Sequence, residues 1–379
     1  MTGKIEIIGA GLTKSAEKWE LGLLDIAIRA SGKAIEDAKI ECPDAVVVAN
    51  ALGGALGDQQ NLALHVASGL GFYKVETYTV CSDEASGGVA VRLACSLIES
   101  GMHETVLVVG AEKTSDALPD MLETVRAAGL DAAREAAFGF SPTIAGALGM
   151  QHYLSTYKLK KDDFFHIAKV AHQHGATNRN AIFRWTLEAE QYLKSPIVAT
   201  PLSVCDTAPP CDGAAAVVLK KGRSTSSAIR ILGGANISEK SGIVYPITRL
   251  KLTSAADSAA MALKQSGCTV DDMSLLELHD TNAFIAALSI EAVGLANAGE
   301  ALHRAADGVF FLKSEMPLWT FGGHKSRGLA PGASGLYQIV EAVMNLRGDA
   351  ENNQVPNASK ALVQCLGSFG AQAVTHVLG

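Results

Sequence analysis

Short β-branched runs of strand length alternate with stretches of helical periodicity along this chain, a pattern that restricts it to an α/β protein with buried sheets. Ile5-Glu6-Ile7-Ile8, Ala45-Val46-Val47-Val48-Ala49 and Thr105-Val106-Leu107-Val108-Val109 read as strands, and Leu23 to Ala38 as a helix. Between about Ser115 and Ser195 clear strands are few and polar residues more frequent. Ile144 to Tyr157 and Asp162 to His174 read as helices there, so the stretch is expected to be an insertion on the core. Strands resume at Ala215-Ala216-Val217-Val218-Leu219, and the polar run Lys220 to Ser227 is the linker candidate. The expected organisation is a first half at residues 1–114 completed by 201–222, an inserted loop region at 115–200, and a second half at 228–379.

An internal echo supports two halves. Ala85-Ser86-Gly87 opens one helical stretch, Gly88 to Gly101, and Ala333-Ser334-Gly335 opens another, Leu336 to Gly348. Both carry apolar residues at three-to-four spacing and stop at Gly. A repeated strand-helix series of this kind suggests two related units facing each other.

Composition excludes several classes. The 379 residues allow two or three ordinary domains and a large core. Lys+Arg 32 against Asp+Glu 39 leaves a formal net charge of −7. The densest basic stretches, Lys158-Leu159-Lys160-Lys161 and Lys220-Lys221-Gly222-Arg223, are too sparse for a phosphate-binding surface, so no nucleic-acid partner is expected. Met1 to Glu6 has no basic region leading into a long apolar run, and no apolar stretch approaches the roughly 18 residues a membrane helix needs. Seven cysteines scattered singly do not resemble a disulfide framework, so a reducing, cytoplasmic setting is expected. With charged residues at only 19% and 37 Gly, the chain suits closely packed elements and a buried subunit interface.

Individual signals differ in what they support. Gly9-Ala10-Gly11 follows a strand, but the third glycine of a dinucleotide fingerprint would fall at Lys14 and no acidic residue closes a second strand, so that reading fails. Cys205, Cys211, His172 and His174 lack the paired spacing of a zinc site, and no metal site is expected. Val80-Cys81-Ser82-Asp83-Glu84-Ala85-Ser86-Gly87 lies between a strand and a helix start, where free N–H groups and the helix dipole stabilise negative charge. A Cys there would be an activated thiolate, and Glu84 a low-pKa carboxylate that could also simply complement the dipole.

His279-Asp280 follows the strand-like Leu275 to Leu278 and could serve acid/base work. Adjacent residues on a strand point to opposite sides, so a structural His is the plainer alternative. Gly322 to Gly335 holds five glycines in fourteen residues, which means tight turns with backbone close to a ligand or another chain segment. Gln364-Cys365-Leu366-Gly367-Ser368-Phe369-Gly370 is a second such loop, in which spacing alone favours a buried inert thiol at Cys365.

Together these stretches resemble the thiolase superfamily, in its archaeal and sterol-carrier-associated branch, over essentially the whole chain. The matching blocks are Ile7 to Lys14, Ala85-Ser86-Gly87 through Val109-Gly110-Ala111-Glu112-Lys113, and Pro201-Leu202 through Cys211-Asp212-Gly213-Ala214-Ala215. Glu277-Leu278-His279-Asp280 with Glu291, the Gly322 to Gly335 loop, and Gly367 to Leu378 complete them. The resemblance implies a five-layer αβαβα thiolase fold of two similar halves with an inserted helical loop region. It also implies a homodimer pairing through sheet edges, and coenzyme A thioesters as substrate with no separate cofactor. Family members use a Cys nucleophile at a helix start, a His in the late glycine loop and a second acid/base Cys, with an oxyanion hole for the thioester.

At those positions this sequence departs from the pattern. Glu84-Ala85-Ser86-Gly87 stands where the family reads Cys-Ala-Ser-Gly, Leu329 where it has the loop His, and Thr281 where related branches carry a Cys. Only Cys365 falls on a family cysteine. A low-pKa carboxylate attacks a thioester poorly, so Glu84 cannot simply take over as nucleophile. Three readings follow. One is a lyase or aldolase acting on acyl-CoA without an acyl-enzyme, paired with a small zinc-ribbon/OB-fold protein. The second is a catalytically silent subunit of a hetero-oligomer with a thiolase paralogue, and the third a thiolase using Cys81 or Cys365. The site residues implied are Glu84, His279 and Cys365 for chemistry, and Asp280, Gly323, His324, Ser334 and Gly367 for binding substrate.

Overall fold

The computed structural model describes residues 5–222 and 228–379. Its strands are β1 (Ile5–Leu12), β2 (Ala45–Ala49), β3 (Glu76–Val80), β4 (Thr105–Glu112), β5 (Ile197–Ala199) and β6 (Leu202–Ser203). Then come β7 (Gly213–Lys221), β8 (Ile229–Ser238), β9 (Leu275–Glu277), β10 (Ala361–Gly367) and β11 (Gln372–Leu378). Among the described residues, nine of them run in the order β3-β2-β4-β7-β1-β8-β11-β10-β9, while β5 and β6 form a separate ribbon.

The order reads as two copies of one pattern. In the first half β2, β3 and β4 are parallel and β7 lies antiparallel between β4 and β1. In the second, β9 and β10 are parallel and β11 lies antiparallel between β10 and β8. A parallel bridge from Leu276 to Leu318 stands where β3 stands in the first half. The halves meet at β1 and β8 through the pairs Glu6↔Arg230 and Ile7↔Ile229.

Period-two alternation buries both faces of these sheets. Val46, Val48, Leu107, Val109, Ala216 and Val218 pack with Ile26, Ala27, Ala30 and Ala34 of the outer helix Leu23–Ala38. Their neighbours Val47, Val106, Val108 and Val217 pack inward with residues of the helices Ser86–Glu99 and Pro331–Arg347. The second half adds an outer helical layer, Thr253–Ser266 and Ala283–Ala292, against Leu362, Leu366, Ala373 and Val377. Helix, sheet, paired central helices, sheet and helix thus stack as the expected layers.

The echo helices are the central pair, and they touch through glycine. A Cβ on Gly87 would lie 2.8 Å from the Leu336 nitrogen, and one on Gly335 2.8 Å from the Gly88 nitrogen. The repeated tripeptide is not a common starting point, however: the first helix begins at Ser86 and the second at Pro331, two residues ahead of Ala333. Glu112 ties the halves further, accepting the Gly332 N–H at 2.9 Å and the Ala51 N–H at 3.0 Å.

Other expectations shift at their edges. β1 continues through Gly9-Ala10-Gly11 because the outer helix crosses there at backbone distance; a Cβ on Gly9 would meet the Ala34 carbonyl oxygen at 2.2 Å. Of the expected linker, Lys220 and Lys221 extend β7 by pairing with Glu6 and Ile5, and residues 223–227 lie outside the described residues. The stretch between β4 and β7 carries helices Pro119–Ala127, Pro142–Tyr157 and Phe165–Gly175 besides the β5-β6 ribbon. Among the described residues no helix is long and apolar enough to cross a membrane.

Candidate active site

Between β3 and the Ser86–Glu99 helix the chain makes a tight turn. Asp83 takes a left-handed φ of +51°, the Ser86 hydroxyl donates to the Asp83 carbonyl at 2.6 Å, and the Ser82 N–H donates to the Ser86 Oγ at 2.7 Å. Glu84 follows, 8% exposed. A buried carboxylate needs partners, and it has two from distant segments. Arg126 Nη2, on the helix Pro119–Ala127, donates to Oε1 at 2.9 Å, and His279 Nε2 donates to Oε2 at 3.0 Å. Burial pushes the Glu84 carboxyl up, but the His279 hydrogen bond and the Arg126 charge outweigh it and hold the group down at about 2.

His279 leaves β9 toward Glu84, and its Nδ1 accepts the Leu366 N–H at 3.3 Å, which places the ring proton on Nε2. Asp280 turns the other way. It accepts the His324 Nδ1–H at 2.6 Å and the His324 and Lys325 backbone N–H groups at 2.8 and 3.2 Å. The His324 ring backs the His279 ring at a centroid separation of 4.8 Å. Burial drives His324 down to about 4 despite Asp280, so it is a neutral support.

Asp83, Glu84, Pro142, His279, Thr281, Ile285, Leu366, Phe369 and Gly370 line a cavity that closes down to room for about one water molecule. The Thr281 hydroxyl lies 3.3 Å from His279 Nε2. Asp83 Oδ2 accepts the Ser368 N–H at 2.8 Å. Burial and the Glu84 charge push the Asp83 carboxyl up to about 6, against the Ser368 N–H and the Arg126 and His279 groups.

The other expected site residues land elsewhere. Cys365 sits on β10 with its side chain in a small cluster with Ala85 and Val374, Sγ 3.8 Å from the Ala85 carbonyl oxygen. Burial pushes its thiol up to about 12. Period-two alternation explains the placement: Leu366 reaches the cavity, so Cys365 faces the central helices. Cys81 is exposed, with Sγ 3.6 Å from the Ala51 carbonyl oxygen. Asp280, Gly323, His324, Ser334 and Gly367 are also off the cavity wall. Gly323 makes room for the Asp280 carboxylate, 2.3 Å from where its Cβ would be, and the Ser334 hydroxyl donates at 2.9 Å to the carbonyl of Ala330, the residue just before its helix. Gly367 closes β10 against the Ser82 carbonyl, which a Cβ would approach to 2.9 Å.

Arg126 and Asp83 escaped the sequence reading. Arg126 belongs to no motif; the one available signal was that an enclosed Glu84 requires a cation. Asp83 was visible as a second acid beside Glu84 at the helix start. His172 stacks on Phe183 at 5.6 Å, and His174 Nδ1 faces the Leu318 carbonyl at 3.0 Å.

Family models match nearly all of this architecture. Residues 5–222 match the thiolase N-terminal domain and 239–379 the thiolase C-terminal domain-like family. The chain belongs to the thiolase family. Within it, this thiolase-family protein is 29% identical to the acetyl-CoA acetyltransferase of Methanothermobacter thermautotrophicus, over 98% of both chains. It is 28% identical to human sterol carrier protein 2, over 98% of this chain and 71% of that one, which supports the sterol-carrier-like branch.

Among solved structures, the Ltp2-ChsH2(DUF35) aldolase superposes with a TM-score of 0.86 at 23% identity, covering 100% of this chain and 98% of that one. Human mitochondrial 3-ketoacyl-CoA thiolase in complex with CoA gives 0.76 at 18%, covering 99% and 97%. At these identities the likeness establishes the thiolase fold.

Proposed function

We propose that this thiolase-family protein acts on coenzyme A thioesters, making or breaking a carbon–carbon bond of the aldol type without a cysteine acyl-enzyme. The observation that carries the reading is the Glu84–His279–Arg126 cluster at the helix start, where the family resemblance leads one to expect a nucleophilic thiolate. Both candidate thiols lie off the cavity, and Cys365 is held as a neutral thiol. Retro-aldol cleavage needs a proton acceptor, a proton donor and stabilisation of a thioester enolate, and no covalent intermediate.

Assembly is part of the proposal. The similar Ltp2-ChsH2(DUF35) aldolase is named for a second component, and we expect a small partner protein here as well. β3 has a free outer edge among the described residues, which suits pairing with a second copy.

A silent thiolase-like subunit is the second reading, favoured by how tightly the cavity is closed. Incubation with acyl-CoA and 3-hydroxyacyl-CoA thioesters, followed by intact-mass analysis and assay for released carbonyl product, separates the readings. Carbonyl release with no protein adduct is the expected result. An acyl adduct on Cys81 or Cys365 restores a thiolase, and CoA binding with neither adduct nor product favours the silent subunit.

A further inference from the structure

The two adjacent carboxylates of the cavity differ in how they are held. Glu84 has both oxygens committed, Oε1 to Arg126 and Oε2 to His279, so it reaches a substrate only by breaking an ion pair. His279 is equally committed, with Nε2 donating to Glu84 and Nδ1 accepting from Leu366. On Asp83, Oδ2 takes the Ser368 N–H and Oδ1 accepts no hydrogen bond among the described residues.

The backbone is shaped around that carboxylate. Asp83, Ser368 and Phe369 all carry left-handed φ angles, +51°, +47° and +53°, and the first two are joined by the Ser368–Asp83 hydrogen bond. Non-glycine residues in this region cost about 1–3 kcal/mol each and persist where the surroundings over-determine them, often at functional sites. The Ser368 hydroxyl donates to the Gly129 carbonyl at 2.7 Å, pinning a third segment. Gly129 leaves the space the carboxylate fills: a Cβ there would lie 2.6–2.9 Å from the Asp83 carboxyl atoms.

We propose that Asp83 is the group that exchanges protons with substrate, and that Glu84, engaged through both of its oxygens, is a positioning residue that orients His279 and Arg126. The proposal rests on the aldol reading above. In the cleavage direction Asp83 takes the proton of the substrate's 3-hydroxyl. The oxygen lone pair becomes the new carbonyl bond, the Cα–Cβ bond breaks, and its electron pair passes to the thioester enolate. Asp83 then returns the proton to Cα, so nothing is oxidised or reduced.

The titratable and charged groups facing Asp83 are Glu84 on its own turn, Arg126 from the inserted helix and His279 beyond β9. Burial and the Glu84 charge, set against Arg126 and His279, bring the carboxyl up to about 6, where proton transfer in both directions is efficient. A group held as far down as Glu84 is a poor acceptor.

The test measures pH profiles of kcat/KM for carbonyl release and of deuterium exchange at Cα in D2O, with acyl-CoA thioesters as probes. For the wild-type chain both profiles are expected to rise with a midpoint near 6. Asp83→Asn keeps the acceptor for Ser368, so it is expected to fold, to bind CoA within about twofold, and to lose about 10²–10⁴-fold in both rates together with the acid limb. Gly129→Ala, which displaces the carboxylate, is expected to lower both rates and shift the limb. Unchanged rates and limb in folded Asp83→Asn overturn the assignment while leaving the aldol reading standing. A wild-type chain that binds CoA but shows neither exchange nor carbonyl release overturns both.

Discussion

Arg126 Nη2 lies 2.9 Å from Glu84 Oε1 across 42 residues of sequence, and the pair ties a carboxylate of the cavity wall to a guanidinium behind it. The guanidinium is supplied by the inserted region and the carboxylate by the core, so insertion and core are coupled through one partly buried ion pair. Glu123 adds a longer contact to Arg126 at 3.5 Å.

Removing Arg126 takes the guanidinium from that carboxylate and leaves it the His279 hydrogen bond alone. Arg126→Met is expected to destabilise the fold by about 3–5 kcal/mol, the usual cost of breaking a buried pair from one side. Urea unfolding checks it, and a change within experimental error would mean that solvent already screens the pair.

Acid should find the same weakness. The Glu84 carboxyl is held near 2 in the folded protein against an ordinary 4.5, so the unfolded state takes up the proton first. Its contribution is complete above about pH 4.5 and is lost as pH falls toward about 2. Asp83 runs the other way: its folded value near 6 exceeds the ordinary 3.8, so its share is complete below about 3.8 and is lost as pH rises through 6. Glu84→Gln is expected to flatten the acid limb of a stability–pH curve, measured by thermal unfolding from pH 2 to 7.

Thiol reactivity should separate the two cysteines nearest the helix start. Cys81 is exposed, whereas Cys365 is buried with its thiol pushed up to about 12. Brief iodoacetamide treatment of the native protein at pH 8, read by peptide mapping, is expected to label Cys81 and spare Cys365 until the chain is unfolded. Rapid native labelling of Cys365 would contradict its placement.

Helix–sheet contact at β1 gives a prediction independent of chemistry. Gly9→Ala puts a methyl 2.2 Å from the Ala34 carbonyl oxygen, on backbone that cannot swing away. A loss of about 1–3 kcal/mol is expected, measured by urea unfolding. A neutral result would show that the outer helix floats on the sheet.

Much of the fold was legible because strands buried on both faces leave continuous β-branched runs, as at Ala45–Ala49, and surface helices leave three-to-four periodicity, as at Leu23–Ala38. The duplication was legible in the Ala-Ser-Gly echo, since both central helices need small residues where they touch. The late glycine loop was read with two possible neighbours, and the structure chose another chain segment. Gly332 faces the Asn50 backbone at 2.6 Å and Gly335 faces Gly88.

The candidate site was legible only where local structure creates it. A carboxylate between a strand and a helix start announces itself at Glu84, because the free N–H groups and the dipole of the helix are local properties. Its counter-ion does not, because Arg126 is a surface-like residue of a helix until the insertion folds back over the core. Cys365 was read two ways, as a buried inert thiol from spacing and as a catalytic group from the resemblance, because spacing locates a residue along β10 while the side to which it points depends on which neighbour, Leu366 or Cys365, the cavity takes. Sequence alone thus determined the alternation of buried strands and helices, the echo of two halves and the acidic helix start, which follow from patterns within a few turns of chain, while the order of the layers came only with the family resemblance. Tertiary structure decided which groups share the cavity and how differently Asp83 and Glu84 are held there, because burial and opposite charge arise only when remote segments meet.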